Sequence, residues 1–147
     1  MEYESYMRKA LSLARRALSI GETPVGAVVV APDGRIVGRG YNRTEAEDAT
    51  CHAEIEAIRD ASRALGSWRL DGCALVATME PCPMCAGAII NSRIKSVVYG
   101  AKDSRMGSCG SVINLFMENY GRSPAVIGGV LKDDCAGILS EFFSSLR

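Results

Sequence analysis

One histidine, one glutamate and a pair of cysteines have the residue types and spacing that metal chemistry requires. His52, the only histidine in the chain, precedes Glu54 by two residues, and Cys82 and Cys85 follow as a C-x-x-C pair. An imidazole and two thiolates are ligands that bind zinc in proteins. A thioredoxin-type redox pair is the alternative for the two cysteines, but it leaves the histidine and the glutamate without a role. We therefore predict a metal site with His52, Cys82 and Cys85 as its ligands.

The number of ligands distinguishes a structural metal site from a catalytic one. Without a second histidine, a closed tetrahedral site needs Cys51, Cys109 or a carboxylate as its fourth ligand, whereas an open site holds water there. Zinc lowers the pKa of such a water to about 7, which makes hydroxide available near neutral pH. Glu54 can accept its proton and return it to a ring nitrogen and a leaving amine. The pattern favours attack on an amidine carbon, with Glu54 as the catalytic residue.

The start of one helix is predicted to carry His52 and Glu54. Thr50 is a suitable N-cap for a helix over residues 51–65, which Gly66 would end. The histidine and the glutamate then fall in the first turn and point in different directions, because residues two apart on a helix do not face each other. His52 can therefore bind the ion while Glu54 lies beside it.

The start of a second helix is predicted to carry the two cysteines. Pro83 suits the first helical position, because its missing N–H group would have no partner there, and the helix continues to about residue 91. Cys82 then lies at the cap and Cys85 one turn later, so both sulfurs can face one point. The positive end of the helix stabilises their thiolates.

The rest of the chain alternates between helical patterns and short apolar runs. This alternation favours an α/β fold with a mostly parallel sheet that is covered on both faces and opened by an antiparallel hairpin. We predict an amphipathic helix over 2–19 with Met7, Ala10, Leu11, Ala14, Ala17 and Leu18 on its buried face, strands at 25–31, 36–41, 73–78, 96–99 and 126–129, a short helical piece at 112–117, and a last helix presenting Cys135, Ile138, Leu139, Phe142, Phe143 and Leu146.

Length and composition describe an ordinary globular chain. Its 147 residues predict one domain over 1–147, and 17 basic residues balance 17 acidic ones, so no global positive field indicates nucleic acid. No apolar run is long enough to cross a membrane, and the N-terminus lacks the pattern of an export signal. We therefore expect a cytoplasmic location, with Cys73 and Cys135 as core residues rather than halves of disulfides.

Several stretches together resemble the bacterial tRNA-specific adenosine deaminases of the cytidine/deoxycytidylate deaminase superfamily. The zinc motif itself is shared by all such deaminases, and its combination with the other segments indicates tRNA. The matching stretches are 23–28 (TPVGAV), 40–43 (GYNR), 50–55 (TCHAEI), 78–88 (TMEPCPMCAGA), 92–94 (SRI), 99–103 (YGAKD), 110–111 (GS) and 140–143 (SEFF).

This resemblance implies a fold and a reaction. The implied fold is a three-layer α/β/α sandwich with a five-stranded mixed sheet, one zinc ion per subunit and assembly as a homodimer. The implied reaction is conversion of adenosine to inosine at wobble position 34 of an arginine tRNA anticodon loop. By the same resemblance, Asn42 and the Ala53 backbone would contact the flipped base, Val25 would cover its face, and Asp103 and Ser104 would touch the flanking nucleotides.

Two other functions fit the same metal motif. A free-nucleobase deaminase for guanine or cytosine would use the same centre, whereas a zinc-stabilised binding module would have no need of Glu54. Binding to an RNA loop also needs cations and a stacking surface. Phe143 or the residues after it are candidates for facing RNA. The candidate cations, which only the fold can gather on one face, are Arg43, Arg93, Lys102, Arg105, Arg122 and Arg147.

Overall fold

A computed structural model describes residues 2–146 as a sheet of five strands with helices on both faces. All the strands and all but the shortest helical piece fall close to their predicted positions. The elements are α1 (Glu4–Ser19), β1 (Gly26–Val30), β2 (Ile36–Tyr41), α2 (Ala53–Leu65), β3 (Ala74–Met79), α3 (Pro83–Ser92), β4 (Ser96–Ala101), a 3₁₀ turn (Leu115–Met117), β5 (Ala125–Gly128) and α4 (Lys132–Ser145).

The strands lie in the order β2-β1-β3-β4-β5. β1 pairs antiparallel with both β2 and β3, and β4 pairs parallel with both β3 and β5. The five-stranded mixed sheet and its opening hairpin are therefore confirmed. The expectation of a mostly parallel sheet is wrong, because β1 also meets β3 in the antiparallel direction and only half of the pairings are parallel.

Each face of the sheet is covered by two helices, which confirms the three-layer architecture. Alternate residues of a strand point to opposite faces, so Val28 and Val30 pack with α1 and α4, while Ala27 and Val29 pack with α2 and α3. Cys73 and Cys135 are buried free thiols, one in each of these layers, as predicted for core residues. Among residues 2–146, no helix is both long and apolar enough to cross a membrane.

The start of α2 differs from its prediction. Thr50 is not the N-cap: its hydroxyl donates to Asp48 Oδ1 at 2.6 Å in the turn before the helix. His52 occupies the cap in an extended conformation, and the helix begins at Ala53. At its other end the helix finishes at Gly66 in the left-handed region, as predicted. Glu54 therefore lies in the first turn, as predicted, whereas His52 lies at the cap rather than within that turn.

Smaller differences concern element ends. α1 begins at Glu4, and Leu13 rather than Leu11 or Leu18 completes its buried face. The helical piece predicted at 112–117 is only the 3₁₀ turn, because the backbone of residues 107–113 is engaged in loop hydrogen bonds instead. In α4, Phe142 is buried while Phe143 and Leu146 are exposed, so its buried face is narrower than the pattern indicated.

Candidate active site

The N-terminal ends of α2 and α3 meet at the edge of the sheet where β3 and β4 end. His52 is the N-cap of α2 and Cys82 is the N-cap of α3, and neither side chain makes a capping hydrogen bond. Both are therefore free to act as ligands. Cys85 lies in the first turn of α3, fully buried behind Cys82, so the structure brings the three predicted ligands together.

The spacing of the three ligand atoms fits a tetrahedral zinc ion. His52 Nδ1 lies 3.5 Å from Cys82 Sγ and 3.5 Å from Cys85 Sγ, and all three ligand atoms lie within 4.8 Å of one another. Zn–N and Zn–S bonds of ordinary length at a tetrahedral angle place nitrogen and sulfur roughly 3.5 Å apart. Among residues 2–146, no fourth metal-binding side chain joins this group, which is the arrangement of an open site.

The electrostatics of the ligands also suit a cation. Hydrogen bonds from the Cys85 thiol and from the His52 imidazole lower the pKa of Cys82 to about 4. The same hydrogen bond to Cys82 raises the pKa of His52. A zinc ion displaces protons from thiols when it binds. One ion would therefore replace the protons that these three side chains share in hydrogen bonds.

Glu54 lies beside the ligands without joining them. Its side chain, only 4% exposed, lines the same cavity as His52 and Cys82. Burial raises the pKa of Glu54 to about 7. A carboxyl group that exchanges its proton near neutral pH is suited to general acid–base chemistry.

The ligands and Glu54 form part of the wall of an open cavity of about 540 Å³. This volume is sufficient for a nucleobase with its ribose. The lining residues are Glu22, Thr23, Val25, Asn42, Thr44, Glu45, His52, Glu54, Met79, Glu80, Cys82, Lys102, Asp103, Ser104, Arg105, Met106 and Phe143.

Four of the five predicted substrate-contacting residues line this cavity. Val25 and Asn42 lie at one side, and Asp103 and Ser104 lie in the loop after β4. The Thr44 hydroxyl donates to Asn42 Oδ1 at 3.0 Å, which fixes the orientation of the amide. Ala53 is not among the lining residues because its side chain is packed in the core between α2 and the sheet; a contact through its backbone stays a prediction.

The fold gathers only part of the candidate cations at the cavity. Lys102 and Arg105 line it. Arg43 is paired instead with Glu56, Nη2 to Oε2 at 2.9 Å. The other described candidates, Arg93 and Arg122, lie with Trp68 and Tyr120 around a separate depression, and Arg147 lies outside the described residues.

Two lining residues that the sequence did not single out are buried acids. Glu22 and Glu80 are each 2% exposed, and both bind backbone N–H groups of loops that border the cavity. Their position in the sequence was an available signal, because each charged residue stands against a buried apolar strand, Glu22 before β1 and Glu80 after β3. The aromatic ring of Phe143, half exposed, also lines the cavity.

The chain belongs to the zinc-dependent deaminases. Residues 1–101 match the family model of the cytidine and deoxycytidylate deaminase zinc-binding region, which is more than half of the chain. This family is consistent with the His52, Cys82 and Cys85 cluster, and zinc is the cofactor of its members.

Individual relatives show which kinds of deaminase the chain resembles. The chain is 45% identical over 146 residues to the tRNA-specific adenosine deaminase of Bacillus subtilis strain 168, covering 98% of this chain and 90% of the relative. It resembles a solved structure from work on A-to-I editing by tRNA:A34 deaminases, with TM-score 0.87, 43% identity and coverage of 91% and 98%. Guanine deaminase from Nitrosomonas europaea has the same fold, with TM-score 0.86, 28% identity and coverage of 97% and 85%.

Proposed function

We propose that this chain hydrolytically deaminates adenosine to inosine at wobble position 34 of a tRNA anticodon loop, with an arginine tRNA as substrate. The observation that carries the proposal is the open cluster of His52, Cys82 and Cys85 beside the buried carboxyl of Glu54 in a cavity large enough for a nucleoside. The identity to tRNA-specific adenosine deaminases over nearly the whole chain supports the choice of base and of RNA.

The residues of the site divide the chemistry between binding and proton transfer. His52, Cys82 and Cys85 would hold a zinc ion, which when bound lowers the pKa of water. Glu54 accepts a proton from the attacking water and donates it to the ring nitrogen of adenine. As the C–O bond forms and the C–N bond breaks, Glu54 transfers the second proton to the amino group, which leaves as ammonia. Water and adenosine thus yield inosine and ammonia.

The walls of the cavity suit a nucleotide that has been flipped out of a loop. Asn42, with its amide oriented by Thr44, is placed to hydrogen-bond the edge of the base, and Val25 to cover its face. Lys102 and Arg105 supply positive charge at the rim for the phosphates of the loop, where Asp103 and Ser104 would meet the flanking nucleotides.

Further parts of the proposal extend beyond the site. We infer that the chain is one domain, because its two apolar layers share a single sheet. We also propose that it works as a homodimer with one zinc ion per subunit, in the cytoplasm, where tRNA is available. Support for the dimer comes from the resemblance to the tRNA-specific adenosine deaminases, which implies a homodimer, and from apolar side chains that α3 and the following loops expose, among them Met84, Ile113 and Met117.

A free-nucleobase deaminase is the second candidate. The similarity to guanine deaminase from Nitrosomonas europaea favours it, because the two folds agree over almost the whole chain. Identity to that enzyme is 28%, against 45% for the tRNA-specific relative, so the RNA substrate is the better supported of the two.

A substrate comparison tests the proposal directly. Zinc-loaded protein is incubated with an anticodon stem-loop containing A34, and separately with free guanine and free cytosine. We expect inosine at position 34, detected by sequencing of the edited RNA, and no release of ammonia from either free base. Turnover of a free base together with an inert stem-loop would overturn the proposal in favour of the second candidate.

A further inference from the structure

Glu80 is a buried carboxylate without a partner of opposite charge. It connects the end of β3 to Pro81 and Cys82, and its side chain is 2% exposed. Within residues 2–146, no lysine, arginine or histidine nitrogen lies within 4.0 Å of its oxygens. A buried charge of this kind persists only where hydrogen bonds replace the lost water.

Donors from one loop supply those hydrogen bonds. The Asp103 N–H donates to Glu80 Oε1 at 3.1 Å, and the Ser111 hydroxyl donates to the same oxygen. The N–H groups of Cys109 and Ser111 donate to Oε2 at 3.0 and 3.1 Å. Both ends of the segment 103–111, which we name the rim loop, are therefore fixed to a single carboxylate.

The rim loop is folded tightly around this carboxylate. A Cβ atom at Gly107 would overlap the carboxylate of Glu80 and the carbonyl of Asp103, so only glycine fits there. Asp103 Oδ1 in turn accepts the N–H groups of Arg105 and Met106, at 2.9 and 3.2 Å. The position of Asp103 thus depends on Glu80, and the turn that follows depends on Asp103.

The segment fixed in this way is a wall of the active-site cavity. Asp103, Ser104, Arg105 and Met106 all line that cavity, and Ser104, Arg105 and Met106 have exposed side chains. The bonds to Glu80 are therefore made on the inner side of the loop, whereas its outer side chains are available to substrate.

We propose that Glu80 is a positioning residue that holds the rim loop in the conformation needed to select the nucleotides flanking the reactive base. The inference rests on the proposed RNA substrate. Glu80 lines the cavity, but both of its carboxylate oxygens accept donors of the rim loop, so we assign it an action through the loop. Its loss therefore weakens binding of a structured RNA and the discrimination between flanking nucleotides more than it slows the chemical step.

A neutral isostere tests the proposal in the zinc-loaded full chain. In Glu80→Gln, one oxygen becomes an NH₂ group that faces N–H donors, so the loop loses hydrogen bonds at nearly constant volume. We expect the KM for the stem-loop to rise about tenfold and kcat to change by less than about threefold. We also expect stem-loops with altered nucleotides at positions 33 and 35 to become more nearly equal as substrates, while zinc content is unchanged.

Amide hydrogen exchange provides a readout that does not depend on substrate. Exchange at residues 103, 109 and 111 should accelerate about tenfold in Glu80→Gln. The matched variant is Glu22→Gln, because Glu22 is equally buried but accepts the N–H groups of Glu45 and Ala46 at 3.0 and 2.8 Å in a different loop. That variant should accelerate exchange at residues 45 and 46 and leave the rim loop protected.

Two further variants distinguish a specific effect of Glu80 on the rim loop from a general folding defect. Ser111→Ala removes only one donor hydroxyl and should raise KM by a smaller factor. In the double variant the effects of Ser111→Ala and Glu80→Gln on KM should not add, because both residues belong to the same hydrogen bond. Glu118→Gln, an exposed carboxylate outside the cavity, should leave KM, kcat and exchange unchanged.

Specific results would overturn the inference. Faster exchange in the rim loop with an unchanged KM and unchanged discrimination would show that substrate does not contact the loop. Loss of zinc from Glu80→Gln, with a fall in kcat at constant KM, would assign Glu80 to the metal site instead. A wild-type protein inert on the stem-loop would overturn the proposed function and the selection of nucleotides with it, whereas the exchange result alone still decides whether Glu80 holds the loop.

Discussion

The cavity has two walls that are built in different ways. The helix-tip wall, which consists of His52, Glu54 and Cys82, stands on two helices packed against the sheet. The rim loop has no regular secondary structure over most of its length, and hydrogen bonds from both of its ends meet at the carboxylate of Glu80. The groups that need fixed bond geometry are thus carried by rigid elements, whereas the groups that meet a variable substrate are carried by a loop.

The helix-tip wall also depends on contacts distant from the metal ligands. Gly38 and Gly40 in β2 lie so close to α2 that a Cβ atom at either position would overlap its backbone. The absence of these side chains lets α2 lie directly against the sheet. The position of His52 at the helix tip therefore also depends on contacts that the sheet makes with α2 between Ala53 and Ala61.

The largest effect is expected where the helix-tip wall performs proton transfer. Glu54→Ala should reduce turnover of the stem-loop by a factor of about 10² to 10⁴, because it removes the general acid–base group, while zinc content stays at the wild-type level. Inosine formation and metal analysis of the same preparation measure the two quantities. A loss of zinc in this variant would show that Glu54 is itself a zinc ligand, which contradicts its separate assignment as the proton carrier.

Glu56→Ala is the matched control for that prediction. Glu56 lies in the same first turn of α2, but it is paired with Arg43 and Arg59 and does not line the cavity. Its removal should leave turnover close to wild type.

A smaller effect should follow from separating α2 and the sheet. Gly40→Ala places a methyl group against the Ala53 carbonyl and the Ala57 amide, and should lower the free energy of unfolding by about 1–3 kcal/mol. Because His52 moves with the helix, zinc affinity should fall as well. Denaturant unfolding and zinc titration measure both changes.

Gly137→Ala is the matched control, because it makes the same substitution at a glycine that is not packed against another element. A Cβ atom at this exposed position of α4 meets nothing within 4 Å. Stability should rise by up to about 1 kcal/mol through helix propensity, and zinc affinity should stay constant. Equal behaviour of the two glycine variants would contradict the close packing of α2.

The smallest effect is expected from the charges next to and within the rim loop. Lys102→Ala and Arg105→Ala should each raise the KM for the stem-loop severalfold at low salt, and each should reduce the slope of log KM against log salt by about 0.7. Arg35→Ala is the control, because Arg35 lies in the β1–β2 turn and is paired with Asp33 at 2.7 Å. Arg35→Ala should leave the salt slope unchanged. An unchanged slope in Lys102→Ala and Arg105→Ala as well would show that neither residue contacts a phosphate.

Local patterns in the sequence predicted most of the fold because they are set by neighbouring residues. Pro83 at a first helical position, Gly66 at a helix end and the continuous apolar run of β1 each act within a few positions along the chain. The cap of α2 was predicted wrongly at Thr50, because the Thr50 hydroxyl binds Asp48 in the preceding turn. His52 takes the cap position instead, and its Nδ1 lies 3.5 Å from the sulfurs of Cys82 and Cys85, which are distant in the sequence.

The sequence alone determined the metal chemistry, since an imidazole, two thiolates and a nearby carboxylate are defined by residue type and by spacing within two short motifs. The three-dimensional arrangement was needed to show how these motifs meet and that β1 separates β2 from β3 with antiparallel pairing. It was also needed to show that Lys102 and Arg105 reach the cavity while Arg93 and Arg122 do not. It also revealed the role of Glu80, because a carboxylate that binds amides some thirty positions away leaves no periodic pattern. Such contacts depend on the crossing of whole elements, which no local stretch of residues specifies.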